Sequence, residues 1–563
     1  MSEMQSLITA GFAPALAAPG ETQGAATSAA RLPIGRVVAV AGSGAELAID
    51  AVRLAGCMGE ADPSVAMAGQ VGSQVKIRTT SGWLLASVRD QRGAAAPDGG
   101  PGGVLSQVDF LGEGLEDAAT GMLHGFRRGI TRYPVPGAEI FPATSDDLRQ
   151  IHAGDARPAI HIGTVYPTRD IRAGLWIDAL LGRHFALLGS TGTGKSTAAA
   201  LILHRICEAA PQGHVVMIDP HGEYGAAFAG LGEIYDVSNL RMPYWLMNFE
   251  EHCEVLLGST GNDLQEDRDI LAKCLLVARQ KSRLAEGMKV TVDSPIPYLL
   301  SDLSRLLGDE MGKLDKATST APYMRIKTKI DEVKGDPRYH FMFSGMLVGD
   351  TMAEFIARIF RLPGNGRPIS IVDVSGVPSD ITRTVVAVLS RMVFDFAVWG
   401  REETTRPILL VCEEAHRYVP NERSAQGSSV GQILSRIAKE GRKYGISLGL
   451  ITQRPSDLAE GVLSQCGTII AMRLNNERDQ AFVRGAMPEG ARGFLDVIPA
   501  LRNRECIICG EGVAIPIRAS FDTLAEAQRP ASADPSFTQL WSAPGSDDGM
   551  VERVVRRWRM QGG

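Results

Sequence analysis

The stretch Gly189-Ser-Thr-Gly-Thr-Gly-Lys-Ser196 decides the fold of this 563-residue chain. It follows an apolar run from His184 to Leu188 and opens a helical pattern at Thr197. Glycines let successive backbone N–H groups turn toward a phosphate, and the start of a helix adds the positive end of its dipole. A strand, this loop and a helix in that order are typical of a P-loop, which binds a nucleoside triphosphate.

The spacing within the loop predicts which residues contact ATP and Mg²⁺. Lys195 would reach the β- and γ-phosphates, and the Ser196 hydroxyl would bind Mg²⁺. A chance glycine-rich turn is the alternative interpretation. The predicted ATP-binding residues are Gly189, Ser190, Thr191, Gly192, Thr193, Gly194, Lys195, Ser196 and Thr197.

A second signal is an apolar strand that ends in two acids, Ile408-Leu-Leu-Val-Cys-Glu413-Glu414. In a P-loop protein, a strand tip of this kind supplies an acid beside the metal and a base that polarises water. We predict that Glu413 is the metal-associated acid, although Asp is usual there, and that Glu414 is the catalytic base. The alternative is a pair of exposed acids that only favour the start of a helix.

Other polar residues fit the same edge of a sheet. Asp219 follows the apolar run that begins at Val215, and we predict that it orders the waters of Mg²⁺. Gln453 follows the run from Ile446, and it could sense the γ-phosphate or orient the attacking water. Both could instead be ordinary turn residues. Because ligands bind beyond the carboxyl ends of parallel strands, these tips should converge.

A basic helical stretch lies between Ile433 and Tyr444. Its charges could form a solvated helix face, or one arginine could enter the ATP site of a neighbouring subunit as an arginine finger. For the finger we favour Arg442 over Arg436.

The arrangement of apolar strand-like segments and helical segments along the chain predicts an α/β protein with several regions. They are a flexible tail at 1–30, a small β-barrel at 31–145, a RecA-like P-loop ATPase domain at 160–523 with a helical insertion at about 250–362, and a C-terminal tail at 524–563 with a short basic helix. On that helix Val551, Val554, Val555 and Trp558 share one face. The face is predicted to pack, with an adjacent subunit as one candidate, or to contact DNA or a partner protein.

Composition excludes several classes. The net charge of −6 gives no whole-chain attraction to nucleic acid, so any DNA must meet a local basic surface. The apolar runs are too short to span a membrane, and residues 1–30 contain no Lys or Arg, which predicts a cytoplasmic protein. Cys506 and Cys509 lack a second pair for a zinc site and are predicted to be buried thiols rather than a metal or redox pair.

Several motifs together resemble the HerA-type ATPases of the HerA–FtsK group. They are the P-loop, Asp219-Pro-His-Gly-Glu-Tyr, Met242-Pro-Tyr-Trp-Leu, Glu413-Glu-Ala-His-Arg-Tyr-Val-Pro, Ala438-Lys-Glu-Gly-Arg-Lys-Tyr-Gly and Thr452-Gln-Arg-Pro-Ser. They follow the family's order after a barrel of the kind shared with rotary ATP synthases, over about residues 32–520. Lys439 stands where relatives often carry Arg, which counts against a finger at that position.

The resemblance implies a homohexameric ring that moves along or unwinds double-stranded DNA, using ATP and Mg²⁺. It also implies a partner, either a NurA-like nuclease in DNA repair or another effector in antiviral defence. Two alternatives stay open. The chain could be an ATP-controlled scaffold that gates an effector, or a protein-pumping, secretion-type ATPase.

Overall fold

The computed structural model describes residues 32–93, 103–153, 157–258, 265–314, 319–345, 347–421, 428–487, 492–531, 537–542 and 549–560. The predicted flexible tail at 1–30 lies outside the described residues. No helix in these ranges is long and apolar enough to cross a membrane. The cytoplasmic location stays a prediction.

The first part of the chain is a closed antiparallel barrel. Its strands are β1 Gly35–Val40, β2 Gly44–Ile49, β3 Gln74–Thr79, β4 Gly82–Gly93, β5 Val104–Glu116, β6 Leu123–Arg128 and β7 Glu139–Pro142. The strands pair in the order β2-β1-β7-β3-β4-β5, and β2 pairs with β5 to close the ring, while β6 extends β5. Helices α1 (Ala51–Cys57), α2 (Pro63–Ala66) and α3 (Ser145–Ala153) accompany the strands. The predicted β-barrel is confirmed.

Alternation of side chains explains the barrel core. On β3, Val75 and Ile77 are fully buried inside the ring, as the period of two predicts. Lys76 points to the other side and is also buried, because α3 covers that face. Its Nζ lies 2.8 Å from Oδ2 of Asp147, which supplies the opposite charge that a buried ammonium requires.

The second part is an eleven-stranded sheet. Its strands are β8 Ala159–Val165, β9 Arg172–Trp176, β10 Phe185–Leu188, β11 Val215–Asp219, β12 Gly232–Tyr235, β13 Ile369–Asp373, β14 Ile408–Glu413, β15 Ile446–Thr452, β16 Thr468–Met472, β17 Glu505–Gly510 and β18 Ile517–Phe521. The order is β12-β13-β11-β14-β15-β10-β16-β17-β18-β8-β9. From β12 to β16 neighbouring strands are parallel, and from β16 to β9 they are antiparallel.

Helices cover both faces of this sheet. They are α4 Ile177–Gly182, α5 Lys195–Ala209, α6 Gly225–Phe228, α7 Phe249–Leu256, α8 Gln265–Gln280, α9 Leu300–Met311, α10 Ala321–Gly335, α11 His340–Phe343, α12 Met352–Ile359, α13 Thr382–Trp399, α14 Ser429–Glu440, α15 Glu460–Leu463, α16 Glu477–Ala486 and α17 Arg492–Leu495. Burial on both faces explains why the parallel strands are continuously apolar. The predicted α/β class is confirmed.

Helices α7 to α12 lie in the chain between β12 and β13 and form a helical layer beside the sheet. The apolar face of α8 is buried at Leu271 and Leu275. A buried ion pair joins the layer to α13, because Arg391 donates from Nε and Nη2 to the Glu251 carboxylate, at 2.9 Å each. Arg391 Nη2 also donates to the carbonyl of Leu246 at 2.6 Å, in the Met242-Pro-Tyr-Trp-Leu motif.

After β18, residues 522–531 cross from the far side of the sheet to the turn after β11. Leu524 joins the apolar core that contains α5, and the amide of Ala531 donates to the Glu223 carbonyl at 2.8 Å. Two further helices follow, α18 Phe537–Ser542 and α19 Met550–Met560. Val551 and Trp558 are 70% and 78% exposed, so the apolar face of α19 does not pack against the described residues of its own chain. Packing on an adjacent subunit stays a prediction.

The thiols of Cys506 and Cys509 are buried and free, and burial raises the pKa of Cys509 to about 12. Both residues lie on β17 between neighbouring strands, so the prediction of buried thiols is confirmed. In the described ranges no cluster of three or more His, Cys, Asp or Glu side chains could hold a metal ion.

Candidate nucleotide site

The P-loop connects the end of β10 to the first turn of α5. Gly192 and Gly194 have φ values of 78° and 92°, in the left-handed region that residues with a side chain rarely adopt. The backbone of Ser190 holds the loop in place, because its amide donates to the Arg473 carbonyl at 3.0 Å and its own carbonyl accepts from Thr193 Oγ1 at 2.7 Å. Lys195, Ser196 and Thr197 therefore start α5 with their amides free of earlier helical partners, as phosphate binding requires.

The tips of β14 and β15 meet this loop. Lys195 Nζ lies 3.4 Å from Glu413 Oε1 and 3.3 Å from Glu414 Oε1. The Thr191 hydroxyl donates to Gln453 Oε1. Strands β10, β14 and β15 are parallel, so their carboxyl ends share one edge of the sheet. The structure thus brings together side chains that are more than 200 residues apart in the chain.

The two acids differ in their ionisation. Burial raises the pKa of Glu413 to about 7, against the opposing effect of Lys195. Burial also disfavours the charged form of Glu414, but the closeness of His416 and Lys195 outweighs it and lowers the pKa of Glu414 to about 2. Glu414 is therefore ionised at neutral pH, which a base that polarises water requires, whereas Glu413 titrates near neutrality.

Glu414 is held in a strained conformation. Its φ is 50°, in the left-handed region, at the point where β14 ends and a short 3₁₀ turn, Ala415–Arg417, begins. Its Oε2 lies 3.2 Å from Nδ1 of His416, and the same Nδ1 is 3.0 Å from the hydroxyl of Thr452 at the end of β15. Strained residues of this kind cluster at functional sites, where the surrounding structure enforces them.

Asp219 at the end of β11 organises the neighbouring turn. It is fully buried and accepts backbone N–H bonds from His221 and Gly222 on Oδ1 and from Tyr224 on Oδ2, at 2.9 to 3.1 Å. Burial raises its pKa above the usual range for an aspartate. This turn places Tyr224 beside Glu413 and Ser196. Burial, together with the charge of Glu413, raises the pKa of Tyr224 well above its usual range.

The metal predicted at this site fits the groups around Glu413. Its Oε2 is buried and has no hydrogen-bond partner among the described residues, which leaves an anionic oxygen for a cation or a water of its shell. The Ser196 hydroxyl on the first turn of α5 provides the second group. Mg²⁺ commonly binds through one or two protein oxygens together with phosphates and waters, so these two residues suffice. Asp219 lies near Glu413, where it can act through waters.

Arg442 lies away from this site. It is exposed in the 3₁₀ turn Gly441–Tyr444, which precedes β15, and its side chain forms no hydrogen bond or ion pair within the described part of the chain. Because the P-loop faces the opposite end of β15, Arg442 is about 20 Å from the P-loop of its own chain. By contrast, Arg436 Nε is 3.4 Å from Glu440 Oε2, and its guanidinium covers the ring of Phe394.

Tyr224, His416 and Thr452 are parts of the site that the sequence patterns do not predict. The ring of His416 lies beside the Glu414 carboxylate. Their positions in the sequence are the signal that could have identified Tyr224, His416 and Thr452, because each lies within five residues of a predicted site residue. Arg504 is a further residue that the sequence patterns do not predict, and its amide donates to the Thr193 carbonyl at 3.2 Å from the other flank of the loop.

Comparisons with known proteins agree with this geometry. A family model described as Helicase HerA, central domain, matches residues 160–393. The chain is 27% identical over 472 residues to the DNA double-strand break repair helicase HerA of Pyrococcus furiosus, which covers 77% of this chain and 82% of that relative. It is 28% identical over 456 residues to the probable DNA double-strand break repair helicase HerA of Methanocaldococcus jannaschii, over 74% of this chain and 86% of the relative.

Among solved structures, VirB4 of Thermoanaerobacter pseudethanolicus aligns with a TM-score of 0.48 and 16% identity, over 67% of this chain and 99% of VirB4. The matched family model covers the P-loop, the insertion and α13, and the relatives extend over most of the chain. With the barrel, the parallel sheet and the converging acids, these matches make the chain similar to the HerA-type group of P-loop ATPases.

Proposed function

We propose that this protein is an ATP-hydrolysing ring motor that moves along or unwinds double-stranded DNA. The observation that carries the proposal is the convergence of Lys195 with Glu413 and Glu414 at the carboxyl edge of the sheet. A site for binding alone needs the P-loop, whereas hydrolysis also needs an ionised base directed at the phosphate end. The domains predicted at 31–145 and 160–523, with the insertion at about 250–362, are part of the proposal.

Lys195 is the phosphate-binding residue in this mechanism. Its ammonium lies between two carboxylates, where it would contact the β- and γ-phosphates of ATP. Glu414 then holds and polarises the attacking water, while Gln453, next to Thr191, orients that water or senses the γ-phosphate. Ser196 and Glu413, with Asp219 nearby, would hold Mg²⁺, which would supply positive charge to the phosphate oxygens. The site residues therefore have separate roles in binding, proton transfer and orientation.

The position of Arg442 supports a ring. An exposed arginine far from its own P-loop can stabilise the transition state only in the site of another copy of the chain. Arg436 is less suited to this role, because Glu440 and Phe394 of its own chain already contact it. We propose a homohexamer in which Arg442 completes the neighbouring ATP site.

Double-stranded DNA and an effector protein are the proposed partners. The similar relatives from Pyrococcus and Methanocaldococcus are named as double-strand break repair helicases, which supports DNA as the track. A NurA-like nuclease or another effector, in repair or in antiviral defence, would then act on the DNA that the ring delivers. The net charge of −6 restricts DNA binding to a local surface such as the ring lining.

The test is steady-state ATPase activity of size-checked oligomer, with and without linear double-stranded DNA. Salt is held constant because phosphate contacts weaken steeply as salt rises. The motor proposal predicts a several-fold increase with DNA, and Lys195→Ala serves as the inactive control. Activity that does not respond to DNA would contradict it and favour an ATP-controlled scaffold or a protein pump, which differ in whether a protein partner stimulates turnover.

A further inference from the structure

The residue of interest is Arg504, which lies in the turn before β17 on the flank of the P-loop away from the acids. Its φ is 67°, so a residue with a large side chain occupies the left-handed region at a cost. In the described ranges, the strained non-glycine residues that border the nucleotide site are Glu414 and Arg504. Glu414 is the proposed base, so the strain at Arg504 calls for a functional explanation of its own.

Arg504 is fixed at both its backbone and its side chain. Its amide donates to the Thr193 carbonyl at 3.2 Å, and its Cγ lies 3.8 Å from where a Cβ would stand on Gly194. Its Nη2 donates to the Phe521 carbonyl at 2.9 Å and to the Thr523 hydroxyl at 2.6 Å. These bonds use one nitrogen of the guanidinium, so its other N–H groups can serve a ligand.

The charge of Arg504 is not neutralised within the described residues, where it forms no ion pair. The nearby carboxylate is Asp522, which Arg172 binds with both Nη atoms and which Arg205 also approaches at 3.8 Å. Hydrogen bonding from Arg172 lowers the pKa of Asp522, and Arg504 contributes to the same shift. Arg172, Arg205 and Arg504 therefore lie near Asp522, and of these Arg205 also pairs with Glu208 at 2.9 Å, which leaves Arg504 as the arginine of this group without an ion pair among the described residues.

The direction of the nucleotide decides what Arg504 can reach. In the sheet, β10 has β15 and then β14 on one side, and β16 and then β17 on the other. The γ-phosphate end must lie toward β14 and β15, because Lys195, Glu414 and Gln453 lie there. The P-loop encloses the β-phosphate, so the α-phosphate and the nucleoside leave toward β16 and β17.

We propose that Arg504 binds the α-phosphate of the nucleotide. This inference rests on the proposed ATP site and adds a binding residue to it. An arginine fork offers paired N–H donors that match phosphate oxygens, and its bonds to residues 521 and 523 hold it ready for that contact. Because the α-phosphate does not react, the contact contributes equally to ATP and ADP binding and little to the chemical step.

The test compares Arg504→Gly with the unaltered protein by titrating fluorescent ATP and ADP. Glycine adopts a φ of 67° without strain and keeps the amide that bonds Thr193, so the substitution removes the side chain alone. We expect both nucleotides to bind about tenfold more weakly, with kcat at saturating ATP within about twofold. Arg529→Ala is the matched control, because among the described residues Arg529 Nε donates to the Leu524 carbonyl and not to the loop. The affinity of this variant for ATP and ADP should equal that of the unaltered protein.

A second measurement identifies the contacted phosphate. The affinities of the two diastereomers of ATP carrying sulfur on the α-phosphate are compared in both proteins. Loss of their discrimination in Arg504→Gly supports the contact, since a merely structural role would weaken both diastereomers alike. Unchanged affinity, unchanged discrimination, or a loss of kcat with unchanged KM would overturn it. Failure of the unaltered protein to bind either nucleotide would overturn the ATP site itself, whereas DNA-independent turnover would leave the Arg504 result standing.

Discussion

Substitution of Glu414 by Gln isolates the base from the rest of the site. The amide keeps the shape of the side chain and the left-handed turn at the end of β14, but it carries no charge and accepts no proton. Lys195 keeps its contact with Glu413 at 3.4 Å and loses the ionic contact with Glu414 at 3.3 Å. We therefore expect the fold and the ring to persist and hydrolysis to fail.

The expected size of each effect follows from the geometry. A positioned general base contributes about 10²- to 10⁴-fold, so turnover should fall by that factor, or about 3–5 kcal/mol in the barrier. ATP binding should be unchanged or tighter by up to about tenfold. Lys195 must leave its carboxylates to contact the phosphates, and in the variant only one charged partner, Glu413, holds it back.

The assay pairs fluorescent ATP titration with single-turnover hydrolysis at fixed salt, on protein of verified oligomeric size. Glu440→Gln is the matched control, because Glu440 is a half-exposed acid on α14 that contacts Arg436 and lies outside the site. Turnover of Glu414→Gln within about threefold of the unaltered protein would refute the base assignment. Loss of ATP binding in the same variant would refute the reasoning about Lys195.

Other predictions concern the metal-side acid, the ring and the helical layer. Since burial raises the pKa of Glu413 to about 7, its carboxylate becomes protonated as pH falls through 7. The value of kcat/KM for ATP should therefore fall over the same pH range. Glu413→Asp has a lower intrinsic pKa and should move that midpoint to lower pH; a midpoint that does not move would exclude Glu413 as its source. Arg442→Ala and Lys195→Ala should each be nearly inactive, while mixed rings should regain activity at interfaces that combine the two intact residues. No recovery in mixed rings of verified composition would count against a finger acting between subunits. Arg391→Met leaves Glu251 buried without its partner and should lower the free energy of unfolding by about 3–5 kcal/mol, seen as a lower Tm. Adding Glu251→Met should restore most of the loss, and a double variant as unstable as the single one would contradict this.

Much of the site could be predicted because its residues belong to short sequence motifs. The P-loop, the acids after β14 and Gln453 after β15 each follow an apolar strand, and parallel strands bring their carboxyl ends together. Once the fold class was known, the convergence of Lys195 with the acids needed no further information. Its prediction therefore depended on short motifs and one topological rule.

The flank formed by β16, β17 and β18 could not be predicted in the same way. Arg504 follows no recognisable strand tip and reaches Thr193 only because β17 pairs with β16, which pairs with β10. These pairings join segments far apart in the chain, and alternating apolar residues do not specify which strands become neighbours. The burial of Lys76 could not be predicted either, because it depends on α3 covering the outer face of the barrel.

The strand order also has a consequence during protein synthesis. The P-loop strand β10 lies between β15 and β16, which follow it in the chain by roughly 250 residues or more. Strands β8 and β9 join the sheet only through β18, near the end of the chain. A chain emerging from the ribosome can complete its barrel early, but its P-loop has no flanking strands until much later. Incomplete translation products that contain the whole P-loop sequence therefore lack the sheet that turns this sequence into a nucleotide site.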